Sequence, residues 1–284
     1  MIEVAWKRDL ARRFGAAAQS YETQSEVQQK SARALAGYIA AKIQNKKPLR
    51  ILEIGCGTGY LTRELLKLYP DAQWWVTDIS ADMLEKCKSS LSDKATNPEY
   101  NPNLSSHRFT PAFDLSKVHF HTMDGEAVDL DGPFDLICSN MAFQWFHDLE
   151  GTLGKLSDLL NNDGMLAFST LSQGTFGLWH KCQNELGIER LAPEFPGAVF
   201  YHDCLGGLNV DTQQQKFVQC HKDGLDFLRT LREIGAHSSR VGRSSLSIIE
   251  LRALLKKYES CFTDGHIEAD YDVVFVLCSK NGEN

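Results

Sequence analysis

Glu53-Ile54-Gly55-Cys56-Gly57-Thr58-Gly59 decides how this chain folds, because its three glycines separate an apolar run from an amphipathic one. Before it, Leu49 to Ile54 reads as a short buried strand; after it, Tyr60 to Leu68 sets Leu61, Leu65 and Leu68 on one helical face. A dinucleotide fingerprint needs G-x-G-x-x-G, whose third glycine lets helix and strand pack closely beside a pyrophosphate. Tyr60 occupies that third place, which speaks against a dinucleotide oxidoreductase. The glycines still admit a ligand close to the backbone, and a carboxylate at Glu53 repels pyrophosphate but suits an ammonium. Asp78 ends the next strand, where a carboxylate can accept hydrogen bonds from both hydroxyls of a ribose. The pair asks for a nucleoside that carries an ammonium group.

Outward from this loop, strands and helices alternate. Trp74 to Ile79 is a second strand, Ser80 an N-cap for a helix over Ala81 to Leu91, Val118 to Met123 a third strand and Phe134 to Ser139 a fourth. A helix over Leu149 to Leu160, a turn at Asn161 to Gly164 and a fifth strand over Met165 to Leu171 complete an α/β core. Such alternation predicts a doubly wound, mostly parallel sheet covered on both faces. Beyond it the pattern loosens into a helix over Gly174 to Leu186, a strand over Lys216 to His221, helices over Gly224 to Ile234 and residues 245 to 258, and a buried strand at Val273 to Leu277. The expected sheet is therefore seven-stranded. Residues 1–45 read as an amphipathic helical lid with Val27, Leu35 and Ile39 available to pack, residues 46–171 as the nucleoside-binding core, and residues 172–284 as a small helical lobe with the final strands. Residues 93–116, with three prolines, read as a loop insertion.

The chain of 284 residues is 43% hydrophobic and 24% charged, ordinary globular usage. Thirty Lys and Arg against 37 Asp and Glu leave a net charge of −7, so no overall positive field draws it to nucleic acid or anionic lipid. No apolar stretch approaches the roughly 20 residues that span a bilayer, and the run at the start is too short for a secretory signal. The eight cysteines form no C-x-x-C pair and no zinc-spaced cluster, so reduced cytoplasmic thiols and no metal are expected.

The chain resembles the class I S-adenosylmethionine-dependent methyltransferases, whose E-x-G-x-G-x-G loop and acidic end of strand two match Glu53 to Gly59 and Asp78. The resemblance implies S-adenosyl-L-methionine as methyl donor and S-adenosylhomocysteine as product. In it Gly55 and Gly57 line the methionine part, whose ammonium the Glu53 carboxylate suits, Asp78 holds the ribose, and Ile79 and Met83 flank the adenine. Asp124-Gly125-Glu126 looks like the adenine-contacting loop, with Asp124 accepting from the exocyclic amine, and Asn140 falls between donor pocket and acceptor entrance.

Four further segments are similar to the malonyl-acyl-carrier-protein O-methyltransferases of biotin synthesis. They are Phe14 to Glu22, Ser139 to Trp145, Phe168 to Phe176, and Leu228 to Ala236 with the downstream Gly242-Arg243. The second is also similar to trans-aconitate methyltransferases; the last is not. This likeness implies methylation of the free carboxylate of a malonyl thioester on acyl carrier protein or coenzyme A. A carboxylate with a pKa near 4 is already ionised at pH 7, so alignment in a dry pocket replaces a general base. Tyr21 on the lid, Gln144 and Trp145 past strand four, and Arg243 are the candidates to wall, hydrogen-bond and attract it. From Gln213 to Lys257, nine Lys or Arg face four Asp or Glu, a patch that suits an acidic carrier or simply forms solvated helix faces. Two rival functions remain open: a methyltransferase for a small free polyacid, and a donor-binding protein without catalysis.

Overall fold

Ile51, Leu52 and Ile54 are at most 2% exposed, so the strand that carries them, β1 (Arg50–Ile54), is covered on both faces. The computed structural model describes residues 2–18, 25–43, 50–96, 114–190, 194–233, 246–263 and 265–280. Around β1 the apolar runs assemble a seven-stranded sheet. β2 (Gln73–Asp78) and β3 (Val118–Thr122) pair parallel on one side of β1, and β4 (Phe134–Asn140) and β5 (Leu160–Leu171) pair parallel on the other. Two antiparallel strands, β6 (Asn209–His221) and β7 (Ile267–Ser279), finish the order β3-β2-β1-β4-β5-β7-β6. Strand order reverses between β1 and β4, which opens a crevice at the carboxyl ends of those strands.

Helices cover both faces. α1 (Ile2–Ala17) packs on α4 (Ala81–Thr96), and α2 (Glu26–Ile43) packs on α3 (Tyr60–Leu68) with Val27, Leu35 and Ile39 buried to 1% exposure or less. α5 (Leu149–Asp158) and α7 (Ala198–Cys204) cover the other face through Leu153, Leu156 and Tyr201. α6 (Gly177–Glu185), α8 (Gly224–Glu233) and α9 (Ile248–Glu259) form a lobe whose aromatic centre is Trp179, Phe227 and Tyr258. Among the described residues, no helix is long and apolar enough to cross a membrane.

Three expectations need correction. Asn161 to Gly164 belong to β5 rather than to a turn, since the chain pairs Phe134 with Leu160 and resumes with Leu136 opposite Met165 across a register break. The polar run Asp211 to Gln215 lies in β6, which pairs with β7 from Asn209 and is twice the expected length. α4 continues past Leu91 to Thr96, shortening the loop insertion; its residues 97–113 lie outside the described residues.

Candidate active site

The glycine loop makes a tight return from β1 to α3, with φ of +67° at Gly55 and +54° at Gly57. Side chains rarely tolerate that left-handed backbone, and a Cβ at Gly55 would also lie 2.6 Å from the Cβ of Ala142. Beside the loop, the Asp78 carboxylate is clamped by two amides: Gly57 N–H donates to Oδ2 at 2.9 Å and Ser80 N–H donates to Oδ1 at 2.8 Å. Burial pushes the Asp78 pKa up to about 6, against the lowering effect of hydrogen bonds from Ser80, Gly57 and Ile79. Ser80 also caps α4, its Oγ accepting from Met83 N–H at 3.4 Å.

Over this edge lies a cavity of about 860 Å³, counting its open mouth. Gly55, Gly57, Asp78, Ile79, Met83, Asp124, Gly125, Glu126, Asn140 and Trp145 all line it. These residues come from the carboxyl ends of four parallel strands and the segments that follow them, which explains why positions far apart in the chain converge. Three lining side chains keep a buried polar atom without a partner among the described residues: Trp6 Nε1, Gln28 Oε1 and Thr58 Oγ1. Unpaired buried polar atoms are rare in folded proteins and suit a ligand that brings complementary donors and acceptors.

Glu53 and Gln144 sit elsewhere. Side chains alternate along a strand, so Ile54 meets the cavity while the 1% exposed Glu53 turns beneath the loop towards Thr62. Burial pushes its pKa up to about 7, with hydrogen bonding from Thr62 and the charge of Arg63 acting against the rise and Asp78 adding to it. It therefore supports the loop instead of lining the ligand space. Within the 3₁₀ turn Phe143–Trp145, Trp145 faces the cavity and Gln144 faces β5, donating to Met141 O at 2.7 Å and accepting from Thr170 Oγ1 at 3.0 Å. Tyr21 and Arg243 lie outside the described residues.

The wall that sequence reading missed comes from α1. Trp6, Leu10 and Phe14, spaced by four residues, line the cavity, and Phe14 meets Trp145 edge to face at 5.6 Å. Lys7 beside them reaches Asp124 Oδ2 at 2.6 Å and Glu126 Oε2 at 2.9 Å. Burial opposes its charge, yet the hydrogen bonds to Asp124 and Glu126 raise its pKa. Glu126 in turn accepts from His147 N–H at 2.8 Å and Asp148 N–H at 2.7 Å, fixing the segment after the 3₁₀ turn. A second chain of bonds runs from Ser31 Oγ to Ser169 Oγ (2.9 Å), from Ser169 Oγ to Asn140 Oδ1 (2.9 Å), and from Asn140 Nδ2 to Gln28 O (3.1 Å), tying α2 over β4 and β5. The period-four apolar stripe of α1 was a legible signal; the partners of Lys7, more than a hundred residues away, were not.

The fold also assembles a group that spacing gave no hint of: Cys220 on β6, His266 just before β7 and Glu268 on β7, all exposed, have donor atoms within 4.8 Å of one another. None of the three lines the cavity.

Comparison with known proteins bears on this site. Residues 22–235 match the methyltransferase domain family. The chain is 41% identical over 256 residues to the biotin biosynthesis bifunctional protein BioCD of Bordetella avium, covering 89% of this chain but 49% of that relative, about half its length. It is 37% identical over 248 residues to the malonyl-[acyl-carrier protein] O-methyltransferase of Magnetococcus marinus, covering 87% of this chain and 84% of that one. The fold is similar to that of the YcgJ protein from Bacillus subtilis, with a TM-score of 0.56 at 14% identity over 87% of this chain and 98% of that one.

Proposed function

The chain belongs to the malonyl-[acyl-carrier protein] O-methyltransferase family, and from that premise we propose that it methylates the free carboxylate of a malonyl group carried as a thioester on acyl carrier protein. The donor in this reading is S-adenosyl-L-methionine, which supplies when bound an electrophilic methyl group on a positively charged sulfur. The product ester masks a charge, so that chain extension towards a pimeloyl group can proceed in biotin synthesis.

The observation that carries the reading is Asp78, clamped at the end of β2 so that both oxygens are oriented by backbone amides while the residue still lines the cavity. Its lone pairs suit the two hydroxyls of a ribose. Gly55 and Gly57 admit the amino-acid end of the donor, where the unpartnered Gln28 Oε1 and Thr58 Oγ1 would take up its ammonium and carboxylate. Ile79 and Met83 would flank the adenine, and Asp124 and Gly125 would meet its edge. Asn140 would separate donor from acceptor. Glu53 acts in this account through the loop it supports.

On the acceptor side Phe14 and Trp145 exclude water from a carboxylate that needs no deprotonation. Sulfonium and carboxylate neutralise one another on reaction, so drying the pair accelerates transfer more than tight pairing of the carboxylate with a cation would. Tyr21 and Arg243 are proposed to position that carboxylate, and Gln144 to hold the turn that presents Trp145. We assign residues 1–45 to the lid, 46–171 to donor binding and 172–284 to the carrier-facing lobe. The eight free cysteines support a cytoplasmic setting.

The test is mass spectrometry of malonyl-acyl carrier protein after incubation with donor and enzyme. A single added methyl on the acyl group is expected, together with much slower methylation of free malonate and trans-aconitate. Equal rates on the free acids would overturn the carrier assignment, and donor binding without methyl transfer to any of them would leave a binding protein.

A further inference from the structure

Cys182 on α6 and Cys261, two residues beyond α9, face each other with sulfurs 3.8 Å apart although 79 residues separate them in the chain. Their surroundings differ. Cys182 is 1% exposed, whereas Cys261 is open to solvent. The two helices are held in this register by Lys257 Nζ against Glu185 Oε2 at 2.7 Å. A disulfide needs a sulfur separation of about 2.0 Å, so the two sulfurs must come about 1.8 Å closer to bond. No other described pair combines proximity with access. Cys56 and Cys87 are neighbours but both are buried, and exposed Cys220 has a histidine and a carboxylate beside it rather than a second thiol.

We propose that Cys182 and Cys261 form a redox modification site, in which hydrogen peroxide oxidises Cys261 and Cys182 then closes a disulfide that fastens α6 to the end of α9. In the first step the Cys261 thiolate takes a hydroxyl from peroxide, giving a sulfenic acid and hydroxide, which the displaced thiol proton converts to water. In the second the Cys182 sulfur attacks the sulfenic sulfur, and its proton leaves with the hydroxyl as a second water. Two thiols lose two electrons and two protons, and one peroxide becomes two waters. Burial, with the facing Cys261 acting in the same direction, pushes the Cys182 thiol's pKa up, and its 1% exposure leaves it to wait for its partner instead of meeting oxidant itself. The bond encloses α7, β6, α8 and α9 in one covalent loop and ties the end of α9 to α6 within the lobe. Neither cysteine lines the cavity, so this inference stands apart from the methyl-transfer reading.

The full-length protein is treated with peroxide, its remaining thiols are blocked in denaturant, and it is mapped by non-reducing peptide mass spectrometry. Expected are a fall in titratable thiols from eight to six, one cross-linked peptide pair containing Cys182 and Cys261, and full reversal by dithiothreitol. Cys261→Ser should abolish the cross-link, and Cys182→Ser should leave Cys261 as a trappable sulfenic acid. Oxidation confined to Cys220, or Cys261 carried to the sulfonic acid while Cys182 remains alkylatable, would overturn the proposal. The wild-type map decides even if a variant folds poorly.

Discussion

Asp78 shows how a single side chain couples folding to ligand binding. Its pKa in the fold, about 6, lies above the ordinary aspartate value of about 3.9, so the folded state holds that proton more tightly than the unfolded one. The stabilisation is therefore complete below the unfolded pKa and is lost as pH rises through about 6. Binding runs the other way, because a cationic nucleoside favours the ionised carboxylate. Calorimetry of S-adenosylmethionine binding from roughly pH 5 to 8 should show affinity rising with pH together with proton release. Asp78→Asn should flatten the pH dependence and weaken binding at neutral pH. An unchanged profile in that variant would move the titrating group to Glu53. Lys7 permits a second test: Lys7→Met keeps the packed stem but removes the charge between Asp124 and Glu126. Loss of that tie should weaken donor binding about tenfold, or 1.4 kcal/mol, and speed proteolytic cutting within residues 2–18. Equal affinity and equal cutting would make the ion pair incidental.

Elements were legible in proportion to how far their own residues dictate them. β1, β2 and β4 announced themselves as apolar runs, because a central parallel strand is buried on both faces. β6 hid five of its thirteen residues in Asp211-Thr212-Gln213-Gln214-Gln215, which pairs only because β7 offers a free edge there. α7, seven residues long, has no capping side chain and is held by Tyr201 at 0% exposure, so only the folded core reveals it. In the site the same rule applies. Acids at strand ends were readable from their strands, whereas the α1 cation and the inward turn of Glu53 depend on packing. Glu126 lets that packing be measured, because one carboxylate joins the turn after β3 to α1 and to the backbone at His147 and Asp148. Glu126→Gln keeps the shape but removes the charge from these bonds. Hydrogen bonds to charged groups contribute roughly 1.5–3 kcal/mol, so a loss of about 2 kcal/mol is expected in urea unfolding. A loss below about 0.5 kcal/mol would show that neighbouring groups or water replace the carboxylate.

Across the whole molecule, charge is distributed unevenly. The net charge is −7, yet the segment 213–257 carries five more basic than acidic residues. Partners from outside the segment reduce that excess: Lys216 meets Asp270 at 3.5 Å and Lys257 meets Glu185 at 2.7 Å, whereas Arg229 pairs within it, with Asp226 at 3.4 Å. Lys222, Arg252 and Lys256 stay exposed, and Ile248 and Ile249 at the start of α9 are 71% and 81% exposed. A face that joins cations to bare apolar side chains suits an acidic protein better than it suits a free diacid, which would enter the cavity without touching the lobe. Attraction between such surfaces is screened over about 8 Å at physiological ionic strength. The KM for malonyl-acyl carrier protein should therefore rise severalfold as salt is raised, with kcat nearly constant, because encounter is impaired and transfer is not. Arg252→Glu with Lys256→Glu should raise the same KM at low salt and remove most of its salt dependence, while donor affinity stays at the wild-type value. If both KM and its salt slope survive the charge reversal, the carrier docks elsewhere, and the exposed cations of α9 serve only as its solvated face.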